Sequence, residues 1–195
     1  MGAQGFKLPF TAAAAVRPQT RKFMSYIQPT GVERSFAEND IIVSKTDLKG
    51  NITYANKVFL DLASLTERQA LGAPHSIIRH PDMPRCVFKL LWDTIQSGRE
   101  LFAYVLNMAS NGDHYWVLAH ITPTFGADGK IIGYHSNRRV PEQGALGVIK
   151  DLYAKLLAEE KTHANAKQGM QASTAMLQEL LKARDITYDQ FVFSL

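Results

Sequence analysis

Pro74-His75-Ser76-Ile77-Ile78-Arg79-His80-Pro81-Asp82-Met83-Pro84 puts three prolines, two histidines, an arginine and an aspartate into eleven positions. It runs directly into the apolar-periodic segment Val87, Phe88, Leu90, Leu91, Trp92 and Ile95. Proline fixes φ and pushes the preceding residue toward extended geometry, so His80-Pro81 and Met83-Pro84 cannot continue a helix begun earlier. The stretch reads as a stiff polar wall that presents its side chains from a nearly fixed backbone. Asp82 is placed to cap the following helix, with Pro84 in its first turn, and Gly98 closes that helix.

Outward from this wall the texture is that of a sheet. Upstream, Ile41-Ile42-Val43-Ser44-Lys45-Thr46 and Asn51-Ile52-Thr53-Tyr54-Ala55-Asn56 are β-rich runs separated by Asp47-Leu48-Lys49-Gly50, whose Asp and Gly supply turn chemistry. Lys57 to Ala63 then shows helical spacing with Asn56 placed to cap it, and Thr66-Glu67-Arg68-Gln69 opens a second short helix. Downstream, Leu101 to Asn107 and His114 to Pro123 flank Asn111-Gly112, the strongest short-range hairpin signal. Ala127-Asp128-Gly129-Lys130 repeats the device before Ile131 to Asn137. Two strands, three helical pieces and three strands predict an α+β domain: a five-stranded antiparallel sheet with short helices on one side and a cavity between the two layers.

The ends of the chain differ from this centre. Residues 1–36 form an N-terminal arm or helix, rich in Gly and Pro near its start, with Phe6, Phe10, Phe23 and Tyr26 as anchors. Residues 37–140 are the α+β domain proper. From Pro141 the chain is helical, and Leu146, Ile149, Leu152, Tyr153, Leu156 and Leu157 make one apolar stripe. Met176, Leu177, Leu180 and Leu181 make another, so 141–195 is expected to be two helices or one kinked helix whose stripe needs a partner surface. The apolar end, Tyr188 to Leu195, is expected to dock on the sheet or on another subunit.

The chain has 195 residues, 46% of them hydrophobic, a net charge of +4 and one cysteine, Cys86. That length holds one domain with appended helices, and the lone cysteine excludes an internal disulfide. Lys and Arg are dispersed and not run together, which argues against nucleic acid as a partner. No run approaches the ~18 apolar residues of a membrane span. The alanine-based run Ala12 to Val16 is too short for a secretory leader, so the expected location is the cytoplasm, without direct membrane insertion. His75, His114 and His120 have no metal-site spacing. A nucleophile elbow, a glycine-rich phosphate loop and a paired catalytic carboxylate are all missing from the sequence, so no enzyme activity is expected.

The ordered set Gly72-Ala73-Pro74-His75, Arg79-His80-Pro81-Asp82-Met83-Pro84, Phe88, Leu91-Trp92, Gly98, Asn111-Gly112-Asp113-His114-Tyr115-Trp116-Val117 and Gly129-Lys130-Ile131-Ile132-Gly133-Tyr134 resembles the aerotaxis-receptor type of PAS domain. The resemblance covers about Asp40 to Arg139. It implies the PAS fold, FAD held non-covalently between sheet and helices, and a redox or energy signal passed to the chemotaxis machinery. By the same resemblance, Arg79, His80 and Asp82 match the family's flavin-associated arginine, histidine and aspartate. Asn56, Asn107 and Tyr134 match its helix-start asparagine, strand asparagine and late-strand tyrosine. Trp92 and Trp116 complete the candidate cofactor-binding set, although Trp92 also fits an apolar helical stripe. Tyr115 and Trp116 are adjacent on a strand, so at most one faces the cavity.

Physical chemistry agrees in part: a guanidinium fork suits a pyrophosphate, and an asparagine amide can read a flavin edge with both donor and acceptor. Arg79 and His80 equally fit a bracing role at the helix end. Relatives carry a tryptophan where this chain has Leu101, and a basic run where it has Met108-Ala109-Ser110. A pocket lined by Leu101, Phe102, Tyr104, Leu106 and Met108 is therefore open to three outcomes: FAD, a haem group as in a gas sensor, or a filled cavity in a cofactor-free interaction or dimerisation module. The expected partners are a membrane-bound chemotaxis transducer or another signalling protein, and a second copy in a homodimer through the terminal helices. A chain ending at Leu195 resembles the separate PAS component of bipartite energy-taxis systems.

Overall fold

The computed structural model describes residues 27–195; the anchors Phe6, Phe10, Phe23 and Tyr26 lie outside them. In order, the elements are β1 (Ile42–Thr46), β2 (Ile52–Ala55), α1 (Lys57–Ala63), α2 (Glu67–Ala70), a 3-10 turn (His75–Ile78), α3 (Arg85–Gln96), β3 (Leu101–Met108), β4 (His114–Phe125), β5 (Ile131–Arg139), α4 (Gln143–Lys161), α5 (Ala166–Ala183) and α6 (Tyr188–Phe193). The strands form one sheet in the order β2-β1-β5-β4-β3, with every neighbouring pair antiparallel. The expected α+β architecture is the observed one.

Local signals set the element ends. Asn56 caps α1, its Oδ1 accepting from the Phe59 N–H at 3.0 Å, and Thr66 with Gln69 forms a reciprocal capping box on α2. At the β3–β4 turn Gly112 has φ +94°, and a Cβ there would collide with the Gln28 carbonyl, because residues 27–34 lie against this turn. Arg34 fastens that segment through Asp113 at 3.0 Å and the Leu62 carbonyl at 2.8 Å.

Two expectations are corrected. Asp82 does not cap α3: the cap position is Pro84, extended at ψ 139°, and no side chain bonds there. The Cys86 N–H in the first turn is met from far along the chain by Glu160 Oε1 at 3.1 Å, while the Asp82 carboxylate stays exposed near Lys161. The apolar stripe of the C-terminal segment is also covered within the chain. Leu146, Ile149, Tyr153 and Leu156 of α4 are buried against the sheet face opposite α1–α3. Tyr153 donates its hydroxyl to the Tyr104 carbonyl at 2.7 Å, and its ring lies 6.0 Å from Trp116. An amphipathic helix next to an open sheet face satisfies both by packing. α5 packs on α4 and α3, and α6 docks on β3 through buried Tyr188, Phe191 and Val192.

Candidate functional site

The antiparallel register sorts the sheet residues by face. Ser44, Thr46, Tyr134, Ser136, Arg138, Ala119, Ile121, Val105 and Asn107 look toward α3 and the Pro74–Pro84 wall, where a cleft of about 580 Å³ opens. That volume lies in the range of small-molecule and cofactor sites. Trp92 and Phe88 of α3 form its other side, and Met170 reaches it from α5. The alternation corrects the expected lining. Phe102 stacks on His120 and meets Phe193, while Leu106 pairs with Trp116, so both residues belong to the opposite face. Tyr104 has the same parity and shares that face. Leu101 is buried on the cleft side but is not part of the lining, and Met108 lines a neighbouring cleft.

Of the eight candidate residues, four meet at this cleft: Arg79, Trp92, Asn107 and Tyr134. The Trp92 and Tyr134 rings meet edge to face at 5.5 Å. Arg79 and Asn107 are joined by a backbone bridge between the wall and β3. The Arg79 guanidinium is half-buried over the Phe88 ring, 4.4 Å from its centroid, and donates to the Met83 carbonyl at 3.3 Å. Burial and the nearby Arg85 charge pull its pKa below the ordinary arginine value. Asn107 is 3% exposed, and its Nδ2 has no partner among the described residues.

The other four lie elsewhere. Asn56 is used up structurally, accepting from the Val43 and Phe59 N–H groups and donating to the Ile41 carbonyl. His80 lines the neighbouring cleft, where its Nδ1 accepts from the Asp82 N–H at 3.1 Å and so holds the Pro81 turn; burial keeps its pKa below the ordinary histidine value. Asp82 is exposed, and Trp116 packs under α4.

That neighbouring cleft, about 930 Å³, is lined by Arg79, His80, Arg85, Glu160, Lys161 and His163 among others. Arg79 and Arg85 belong to both clefts and stand where the two meet. Sequence reading also missed a second cluster. Arg138, 4% exposed, donates through Nη2 to Ser44 Oγ at 2.8 Å and to His75 Nε2 at 2.7 Å. A guanidinium only donates, so His75 Nε2 accepts and its proton sits on Nδ1. Burial and the Arg138 charge drive the His75 pKa down to about 3, and burial lowers that of Arg138 to about 10, leaving it cationic at neutral pH. The period-two set Tyr134, Ser136, Arg138 was the available signal. Among the described residues no group of three His, Cys, Asp or Glu side chains could hold a metal, and no helix is long and apolar enough to cross a membrane.

Residues 52–138 match the family model described as the PAS fold, and with the sheet order above they define a PAS domain. The domain is similar to that of the aerotaxis receptor: the chain is 38% identical to the aerotaxis receptor of Escherichia coli (strain K12) over 122 residues, 63% of this chain and 24% of that protein. It is 27% identical to the nitrogen fixation regulatory protein of Klebsiella pneumoniae over 99 residues, 51% of this chain and 20% of that one. The chain thus spans a quarter or less of the length of these curated relatives. Among solved structures, a light-oxygen-voltage domain studied with a flavin analogue superposes with a TM-score of 0.52 at 19% identity, covering 58% of this chain and 87% of that one.

Proposed function

We propose that this PAS domain binds FAD in the cleft between sheet and α3 and reports redox or energy state to a chemotaxis-type transducer in the cytoplasm. The observation that carries the reading is a partly apolar cleft lined by polar groups unmet among the described residues, with two arginines where it meets the neighbouring cleft. Asn107 Nδ2, Ser136 Oγ and Arg138 Nη1 are buried without partners among the described residues. Buried polar groups are rarely left unpaired, so a ligand rich in carbonyl and ring nitrogen acceptors would satisfy them. Arg79 and Arg85 stand where a dianionic linker would leave the cleft, which favours a dinucleotide over a free ring. When bound, the flavin supplies the electron chemistry, and the protein orients and tunes it.

The residues around the cleft supply the rest. Trp92 and Tyr134 give aromatic walls, and Asn107 presents an amide that can exchange hydrogen bonds with a ring whose protonation changes. Met170 places α5 at the same cleft, and Glu160 ties α4 both to the Cys86 N–H of α3 and to Ser173 of α5 at 3.0 Å. A rearrangement at the ligand therefore has a short mechanical path into the C-terminal helices, the surface proposed for the transducer or for a second copy. The similarity to the aerotaxis receptor supports this output. The open cleft, not filled by Leu101 or Met108, speaks for a ligand over a cofactor-free module.

The test is an absorption spectrum of freshly purified protein before and after dithionite, with the released chromophore identified by chromatography. Paired flavin bands that bleach on reduction, with FAD released, are expected. A preparation that is colourless and stays so after incubation with FAD would sink the reading, and a Soret band would redirect it to haem.

A further inference from the structure

On the sheet side of the cleft, Arg138 is a buried positive charge with no counter-ion among the described residues. Arg138 makes no ion pair among the described residues, and its Nη1 has no hydrogen-bond partner there. Its other terminal nitrogen is held by Ser44 and His75, and its guanidinium lies 5.7 Å from the centroid of the Phe59 ring. His75 is itself anchored, its backbone N–H donating to the Gly50 carbonyl at 2.8 Å. Opposite Arg138 in the register sits the small side chain of Ala119, and both residues line the cleft. A buried ion without a counter-ion is costly, and the arrangement persists most economically where a ligand completes it.

We propose that Arg138, positioned by Ser44 and His75, reads the charge of the bound ring: it takes the electron-rich carbonyl edge of the flavin and binds that edge more tightly once reduction has made it anionic. This rests on the flavin reading above. Two electrons from an external reductant and one proton taken at N5 convert the oxidised ring to a hydroquinone whose remaining negative charge is shared by N1 and the C2 carbonyl. A cation held at that edge stabilises this form relative to the neutral oxidised one and raises the midpoint potential.

The experiment uses the full chain, stripped of ligand and titrated with FAD, and then poised against redox dyes with dithionite as reductant. Arg138→Met removes the charge at similar volume. The expected result is that the ratio of reduced to oxidised dissociation constants rises about tenfold, which lowers the potential by ~30 mV for a two-electron couple. Arg138→Lys restores most of that shift. The ligand-free Arg138→Met protein should melt no lower than the original, because an unneutralised buried charge has been replaced by apolar volume. A merely structural brace would give the reverse: a lower melting temperature with the potential unchanged, and that result overturns the proposal. If Arg138→Met does not fold, Ser44→Ala and His75→Gln, which leave the charge but loosen its aim, should shift the potential in the same direction by less. No shift in either overturns it. If the original chain binds no flavin, the flavin reading fails first and this one with it.

Discussion

The two faces of the sheet are built from the same strands and do opposite things. On the face under α4 and α6 the side chains interlock: Ile149 and Leu156 are fully buried, Trp116 sits against Tyr153, and the Tyr153 hydroxyl finds the Tyr104 carbonyl. On the face under α3, Asn107, Ser136 and Arg138 line the cleft with buried hydrogen-bonding groups unmet among the described residues. On the first face most polar groups are spent on closure, with Asp189 Oδ1 of α6 the exception among the described residues. The second keeps buried polar groups unmet among the described residues, which the proposed ligand would satisfy.

If that contrast holds, deletions on the closed face should cost stability and spare binding. Leu156→Ala should lower the unfolding free energy by about 2–5 kcal/mol, read from urea melts, because the cavity it leaves cannot be filled by a neighbour. Flavin bound per folded molecule should not change, and a parallel loss of binding would break the contrast. Arg79→Ala tests the open face. Flavin should bind roughly 10- to 100-fold more weakly, about the worth of a charge-assisted hydrogen bond, while the melting of the ligand-free protein moves little. Collapse of the ligand-free protein would instead make Arg79 a brace for the α3 end.

A pH titration sharpens the same comparison. His75 is held neutral by burial and by Arg138, its pKa dropping from 6.5 to about 3. The folded chain therefore binds fewer protons than the unfolded chain in acid. The stability this provides is full above pH 6.5 and drains as the pH falls toward about 3. The expected loss is roughly 1–3 kcal/mol between pH 6.5 and about 4, and His75→Gln should flatten that part of the curve. A curve unchanged by the substitution would remove His75 from the account. The smallest effect belongs to Tyr153→Phe, which removes the hydroxyl's 2.7 Å bond to the Tyr104 carbonyl and its 3.4 Å bond with the Tyr188 hydroxyl on the closed face and should cost about 1 kcal/mol in thermal or urea melts without altering flavin affinity.

Four of the eight candidate residues meet at the cleft, and the way they divide is instructive. Arg79, Trp92, Asn107 and Tyr134 come from four different segments, and the resemblance named Arg79, Asn107 and Tyr134 among its flavin-associated positions. Trp116 and Asn56 carry equally distinctive residue types, yet strand parity sends one to the far face and a helix cap consumes the other. Residue type alone does not record direction. Arg138 was missed for the complementary reason: period-two spacing gives its face but not its partners. Its two partners lie 94 and 63 residues away, and a basic residue near the end of a strand reads by itself as solvent-facing.

By itself the sequence determined what depends on neighbours a few positions apart. The strand and helix order followed from apolar periodicity, the hairpins from Asn-Gly and Asp-rich turns, and the starts of α1 and α2 from Asn56 and Thr66. Tertiary structure decided what depends on strand order and on competition between surfaces. Setting β5 beside β1 brought Arg138 to Ser44 and, through the wall loop, to His75. Folding α4 over the open sheet face covered a stripe that local pattern alone left exposed, because apolar area is buried wherever a complementary face lies within reach, and only the assembled chain shows where that is.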